Sequence, residues 1–129
     1  MKPNTHLGIS EKLCGRVESI EEGTATVALT TTSTMAADDE GLVHGGFVFG
    51  AVDYAAMLAV NDPNVVLGSA DVRFVAPVKV DDEVLCVATV TETKGKKRVL
   101  EVTATVSDGL VLRGTMVAFV LDDHVLANR

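Results

Sequence analysis

Between Phe47 and Val60 the only charged residue is Asp53. A helix lying on a protein surface shows a polar stripe at the 3.6-residue period. This stretch is apolar nearly all round, which predicts a buried helix with sheet wrapped about it. Asp53 is then a physical problem. Its neighbours three and four positions away are Phe49, Gly50, Ala56 and Met57, and none can pair with it. A carboxylate held there must face a polar cleft, a partner subunit or water, or keep its proton. The same stretch is led in by Leu42-Val43-His44-Gly45-Gly46. Two glycines at a helix start let another group approach the free backbone N–H groups closely. Those donors, with the positive end of the helix dipole, suit an oxygen that gains negative charge. One short segment thus offers an imidazole, an oxyanion-type pocket and an isolated carboxylate.

The chain around it is long enough to bury one core. At 129 residues and 47% hydrophobic it reads as one globular domain over residues 1–129. No apolar run approaches the roughly 20 residues that span a bilayer, so no membrane partner is expected. Met1 to Leu7 holds no apolar signal core, and a cytoplasmic location is expected. Cys14 and Cys86 are scattered thiols, which fits a reducing compartment. Neither lies in a Cys-x-x-Cys or Cys/His cluster, and His6, His44 and His124 are dispersed, so no metal site is indicated. A net charge of −7 argues against nucleic acid as a partner. An anionic small molecule needs only a local basic patch.

In chain order, residues 1–10 form a polar lead-in. Strands are expected over 14–20 and 24–31, the second with Ala25, Val27 and Leu29 on one face. Residues 32–43 read as an acidic loop. The helix should stop at Asn61-Asp62-Pro63-Asn64. Four strands follow, over 65–78, 84–93, 99–107 and 110–121, as an antiparallel meander. In the first of them, alternation sets Val66, Gly68, Ala70, Val72, Phe74 and Ala76 against Ser69, Asp71 and Arg73. Asp108-Gly109 is a two-residue hairpin signal. The pattern is α+β: a curved antiparallel sheet around one long helix.

The chain now resembles a known family, the hotdog-fold acyl-CoA thioesterases of the phenylacetyl-CoA and 4-hydroxybenzoyl-CoA group. The resemblance covers roughly residues 12 to 121. It rests on His44-Gly45-Gly46, on the acid nine positions after the histidine at Asp53, and on Gly68-Ser69-Ala70-Asp71-Val72-Arg73-Phe74-Val75-Ala76-Pro77-Val78. The resemblance implies hydrolysis of an acyl-CoA thioester to acid and CoA. No cofactor is implied beyond the coenzyme A of the substrate itself. It implies a homodimer or a dimer of dimers whose active site lies between subunits. Asp53 takes the place of the family's general base or nucleophile. The Gly45 N–H takes the place of its carbonyl-polarising donor, and His44 that of a group which bonds the thioester oxygen or orients the loop.

Other positions carry two readings each. Gly45 and Gly46 also permit a tight turn into a helix, and Gly46 could line the substrate. Several relatives carry Asn or Gln about six residues before the histidine, to hold the attacking water. Here Asp38 stands there, with Asp39 beside it. Either could accept a bond from water, or the pair could be a solvated loop. Ser69 matches a strand hydroxyl that some relatives use, or is an ordinary β-sheet serine. Lys96 and Lys97, with Lys94 and Arg98, form a dense basic cluster that could hold CoA phosphates or serve solubility. Two rival functions share the architecture. One is a hotdog enoyl-CoA hydratase or dehydratase; Asp39-x4-His44 has the spacing, but the Asn-Pro inside that motif is absent. The other is a non-catalytic acyl-CoA-binding module.

Overall fold

A computed structural model describes residues 1–129. After a single helical turn, α1 (Glu11–Cys14), come β1 (Arg16–Glu21) and β2 (Thr24–Thr30). Helix α2 (Gly45–Val60) follows, and then β3 (Val65–Phe74), β4 (Glu83–Lys94), β5 (Lys97–Val106) and β6 (Gly109–Val120). The six strands form one antiparallel sheet in the order β1-β2-β4-β5-β6-β3. Its concave face closes on α2. Val48, Ala51, Val52, Tyr54 and every residue from Ala55 to Ala59 are buried there. They meet Val27 and Leu29 of β2, Val84 and Cys86 of β4, Leu100 and Val102 of β5, and Met116 of β6. This is the expected hotdog arrangement, and the reason is the one legible in the sequence. A helix apolar on all sides needs a sheet that curves round it.

Four details differ from the expectation. Cys14, expected to open the first strand, instead ends a helical turn over residues 11–14. Ser10 caps that turn, and Gly15 ends it at φ 100°, a left-handed conformation that suits glycine. The last four strands are not a simple meander. Only β4-β5-β6 is; β3 crosses to the far side of β6, with Val65 opposite Val120 and Phe74 opposite Leu112. The register of that pair shifts between Leu67 and Ser69, so Leu67 and Val72 both pack on the core although simple alternation separates them. A Cβ at Gly68 would stand 2.6 Å from the Phe119 ring, which takes the room a side chain there would need. Finally, the β5–β6 turn is Ser107-Asp108, one residue earlier than expected, with φ 47° and 67°.

The loop over residues 32–43 is less loose than its composition implied. Ser33–Met35 forms a 3-10 turn that drives Met35 into the core. Thr31 is fully buried, and its Oγ1 donates towards the carbonyls of Lys79 at 3.1 Å and Asp82 at 2.7 Å. The Val43 N–H donates to Val78 O, and that of Val80 to Gly41 O. Two loops are thereby stitched together beneath the first turn of α2.

Candidate functional site

His44 is the N-cap of α2, and its backbone N–H donates to Met35 O at 2.9 Å. Its side chain caps nothing. The ring is exposed, stands edge-on to Phe47, and lies 3.1 Å from where a Gly46 Cβ would be. Any other residue at position 46 would push that ring away. The first main-chain donor of the helix with a partner in the chain is Phe47 N–H, to His44 O at 3.1 Å. The N–H groups of Gly45 and Gly46 precede it and have no partner in the chain, as expected of a first helical turn. Gly45 lines an apolar cleft of about 400 Å³, with Leu42, Val48, Phe74, Pro77, Val78 and Val111 among its walls. The Phe74 ring closes over the glycine, 3.3 Å from the position of a Cβ. Gly45, whose N–H has no partner in the chain, therefore borders an apolar cleft, where a hydrogen bond is stronger than in water.

Asp53 lies eight residues further along the same helix, about 12 Å away at 1.5 Å per residue. One chain does not bring it to the Gly45 donor. Its Oδ1 is buried and has no hydrogen-bond partner. Burial pushes the carboxyl above its ordinary range, and the nearby His6 imidazole opposes part of that shift. Burial likewise raises the Cys14 thiol, with a smaller contribution from the Asp53 charge. Gly46, Phe49, Gly50 and Asp53 recur at the spacing of one helix face, and none of the four is fully buried. A Cβ on Gly50 would meet nothing within 4 Å. The stripe that leads to the carboxylate is therefore open.

The other candidates are spread more widely. Asp38 accepts hydrogen bonds from the N–H groups of Glu40 and Leu42 through Oδ1, so that oxygen shapes its own loop. It borders a hollow of about 410 Å³ that shares Leu42, Pro77 and Val78 with the Gly45 cleft. Ser69 is exposed on β3 beside the bulge, away from the Gly45 end of the strand. Lys96 and Lys97 sit at the β4–β5 turn, where Lys97 is opposite Phe119 near the start of β3. The nine steps from Val65 to Phe74 place that turn about 30 Å from the Gly45 end of the sheet. Lys96 Nζ is paired with Asp122 at 3.0 Å.

Sequence reasoning missed the N-terminal segment, which lies along α2. The Asn4 N–H donates to Asn61 Oδ1 at 2.8 Å, and Asn61 Nδ2 donates to Lys2 O at 3.1 Å. His6 stacks on Tyr54, with ring centroids 6.2 Å apart. Nothing local in a polar stretch announces such a seat. The only available signal was a histidine just before a chain whose central carboxylate lacks a partner.

No helix is long and apolar enough to cross a membrane. Residues 40–112, more than half of the chain, match the thioesterase superfamily. Among solved structures, the uncharacterized protein PH1136 from Pyrococcus horikoshii is 48% identical, with a TM-score of 0.96 over 98% of this chain and 97% of that one. A mutant of the phenylacetic acid degradation protein PaaI from Thermus thermophilus is 26% identical, with a TM-score of 0.78 over 86% of this chain and 96% of that one. A methylthioribose-1-phosphate isomerase from Aquifex aeolicus is 58% identical over 98 residues. The match takes in 76% of this chain and only 22% of that much longer relative. With its six-stranded antiparallel sheet wrapped about one helix, the chain belongs to the thioesterase superfamily and has the hotdog fold.

Proposed function

We propose that this protein hydrolyses an acyl-CoA thioester, in a site built where two copies of the chain meet. The observation that carries the reading is a division of labour along α2. At its start are two N–H donors with no partner in the chain, of which Gly45 lines an apolar cleft; two turns on is a carboxylate with a buried, unpaired oxygen. Each half is what the other lacks for thioester chemistry. The thioester oxygen accepts a bond from the Gly45 N–H. Asp53 of the second copy takes a proton from water as the water oxygen attacks the carbonyl carbon, or attacks that carbon itself. The negative charge on the tetrahedral oxygen rests on the Gly45 donor and the helix dipole. The C–S bond then breaks, and the thiolate takes the proton that Asp53 drew from water, so that CoA leaves as the thiol and the acid is released. Where Asp53 itself attacks, water protonates the thiolate and the resulting hydroxide hydrolyses the acyl–Asp53 anhydride, which frees the acid and restores the carboxylate.

The second copy fits the open side of the molecule. Strand β3 pairs only with β6, and its outer edge is free. An unpaired edge of ten residues is a template for another strand. Exposed Asp71 and Arg73 lie two residues apart on it. In an antiparallel self-pair centred near Val72, each Asp71 meets the partner's Arg73, which sets the register. Exposed pairs of this kind contribute only about 0–1 kcal/mol each, so apolar contacts and backbone bonds supply most of the association. The same pairing carries the second copy's Lys96 and Lys97 towards the Phe74 end, where they can meet CoA phosphates.

The test is release of free thiol from short, medium, branched and aromatic acyl-CoAs, followed by subunit mixing. Asp53→Asn and Gly45→Pro are each expected to be inactive. Mixed after subunit exchange, they should recover part of the activity, because one of the two sites in a hybrid keeps both groups. Hybrids that form and stay inactive, or a monomer that turns over normally, would overturn the shared site.

A further inference from the structure

The cleft beside Gly45 has no polar side chain in its walls. Its floor is four valines, Val43, Val48, Val78 and Val111, each no more than 5% exposed. Its rim carries Leu42, Phe74 and Val75, all exposed. Backbone bonds hold the walls in place. Val111 O accepts from the Val75 N–H at 2.8 Å and from the Ala76 N–H at 3.4 Å. Val78 O accepts from the Val43 N–H at 2.8 Å. The segment after β3 is thus tied to β6 on one side and to the lead-in of α2 on the other, so the cleft is formed before anything enters it. Across Leu42, Pro77 and Val78 lies the hollow of about 410 Å³, whose charged residues are Asp38, Glu40, Lys79 and Asp82. Three acids against one base give that side a surplus of negative charge.

We propose that this cleft takes an unsubstituted hydrocarbon acyl chain of about eight to twelve carbons, and turns away acyl groups that carry a hydroxyl or a carboxylate. The proposal rests on the thioesterase reading and names the acyl class for the same site. With the thioester oxygen at the Gly45 N–H, the chain runs along the valine floor. A dry apolar cavity of about 150 Å³ holds a benzene ring. A cleft of about 400 Å³ is far larger than an acetyl group needs, and its open side lowers the carbon count that volume alone would allow. A hydroxyl on the chain would leave water and find no side-chain partner in these walls. A terminal carboxylate would lose its hydration as well and face the negative surplus beyond Leu42. The Phe74 ring stands 3.3 Å from where a Gly45 Cβ would be, so the cleft is narrow beside the carbonyl. That favours a methylene chain over a ring attached directly there. The exposed apolar rim supplies surface that a long chain covers, and each methylene that leaves water strengthens binding.

The experiment measures kcat/KM for thiol release from acetyl-, butanoyl-, hexanoyl-, octanoyl- and decanoyl-CoA, and from the ω-hydroxyoctanoyl, octanedioyl and benzoyl thioesters. The value should rise by roughly fourfold per methylene up to about eight carbons. The ω-hydroxyl should cost about tenfold or more against octanoyl. The octanedioyl and benzoyl thioesters should also fall well below octanoyl. Ala76 is an exposed residue of the rim, where a larger side chain enters the cleft without displacing the core. Ala76→Phe should therefore shift the preferred length to shorter chains. Val111→Thr sets a hydroxyl in the floor and should narrow the gap between octanoyl and ω-hydroxyoctanoyl. A preference for the hydroxylated, dicarboxylic or benzoyl substrate would overturn the proposal and leave the thioesterase reading standing. So would a rate indifferent to chain length, which would mean that the second copy rather than the substrate fills the cleft. If no thioester released thiol, the thioesterase reading would fail first. Calorimetry with S-ethyl-, S-octyl- and S-(ω-hydroxyoctyl)-CoA, thioethers that cannot be hydrolysed, would still decide on the cleft. S-octyl-CoA should bind the tightest of the three, and equal affinities refute the proposal.

Discussion

The two functional ends of α2 are opposites. At Gly45 the helix offers donors without acceptors, in a cleft whose named walls are apolar side chains. At Asp53 it offers an acceptor without a donor, on a stripe of glycines and one phenylalanine that sheet and segment leave partly open. Unsatisfied polar groups inside a fold cost stability, and a chain keeps them where something else completes them. The donor end would be completed by a carbonyl oxygen and the acceptor end by water or a thioester carbon. Because about 12 Å of helix separates them, one substrate cannot use both within a single chain. On the proposed function, the two unfinished ends of α2 are therefore expected to be joined by a second copy.

The largest effects should come from removing either half. Asp53→Asn keeps the volume and removes the proposed base or nucleophile, and kcat is expected to fall by about three orders of magnitude or more with the fold intact. Gly45→Pro removes the N–H itself at a position where a helix tolerates proline, and a loss of about 10²–10³ in kcat is expected. Steady-state thiol release, with circular dichroism to check folding, measures both. A Gly45→Pro protein of near-normal kcat would show that the Gly45 N–H is not used.

A smaller effect sharpens what the glycine does. Gly45→Ala keeps the donor but sets a methyl group 3.3 Å from the Phe74 ring. Phe74 is 56% exposed at the end of β3, and its ring must shift by a few tenths of an ångström to make room. A loss of about tenfold is expected from crowding, roughly 1.4 kcal/mol. In a Phe74→Ala background the same Gly45→Ala change should cost much less. A double-mutant cycle on kcat/KM measures that coupling. Full additivity would mean that the ring and the glycine do not share a site.

The donor end of this comparison was legible in the sequence and the surroundings of the acceptor end were not, for a physical reason. His44-Gly45-Gly46 and the apolar run after it are local patterns, and helix formation follows local patterns. The sheet around them was legible as a set of strands. Its order was not, because β3 skips β4 and β5 to reach β6, and that choice depends on pairings made later in the chain. The bulge at Gly68 is set by Phe119, some fifty residues away. Met35 read as a loop residue and Thr31 as the end of a strand; both are buried, and Thr31 is tied to the 75–82 loop through the carbonyls of Lys79 and Asp82. His6 is the sharpest case. The segment that seats it is polar and short, and only its docking on Asn61 and Tyr54 shows where it lies.

The smallest effect concerns stability and bears on the acceptor end alone. Burial raises the Asp53 carboxyl above the ordinary value near 3.8, with His6 opposing part of the shift. A group whose folded pKa lies above its unfolded value contributes stability fully below the unfolded pKa. That contribution is lost as pH rises through the folded value. The folded protein thus carries a penalty at neutral pH for charging a carboxyl that burial disfavours. Asp53→Asn is free of it, because the amide never ionises. Any packing difference between the two side chains is the same at every pH and cancels in the pH dependence. The Tm of Asp53→Asn relative to wild type should therefore climb between about pH 4 and neutrality, by a few degrees for a chain of this size. Paired thermal melts across that window measure it, and they need no substrate. A gap that stays flat or closes would mean that the carboxylate is well served in the folded protein, and the acceptor end would lose its claim to be unfinished.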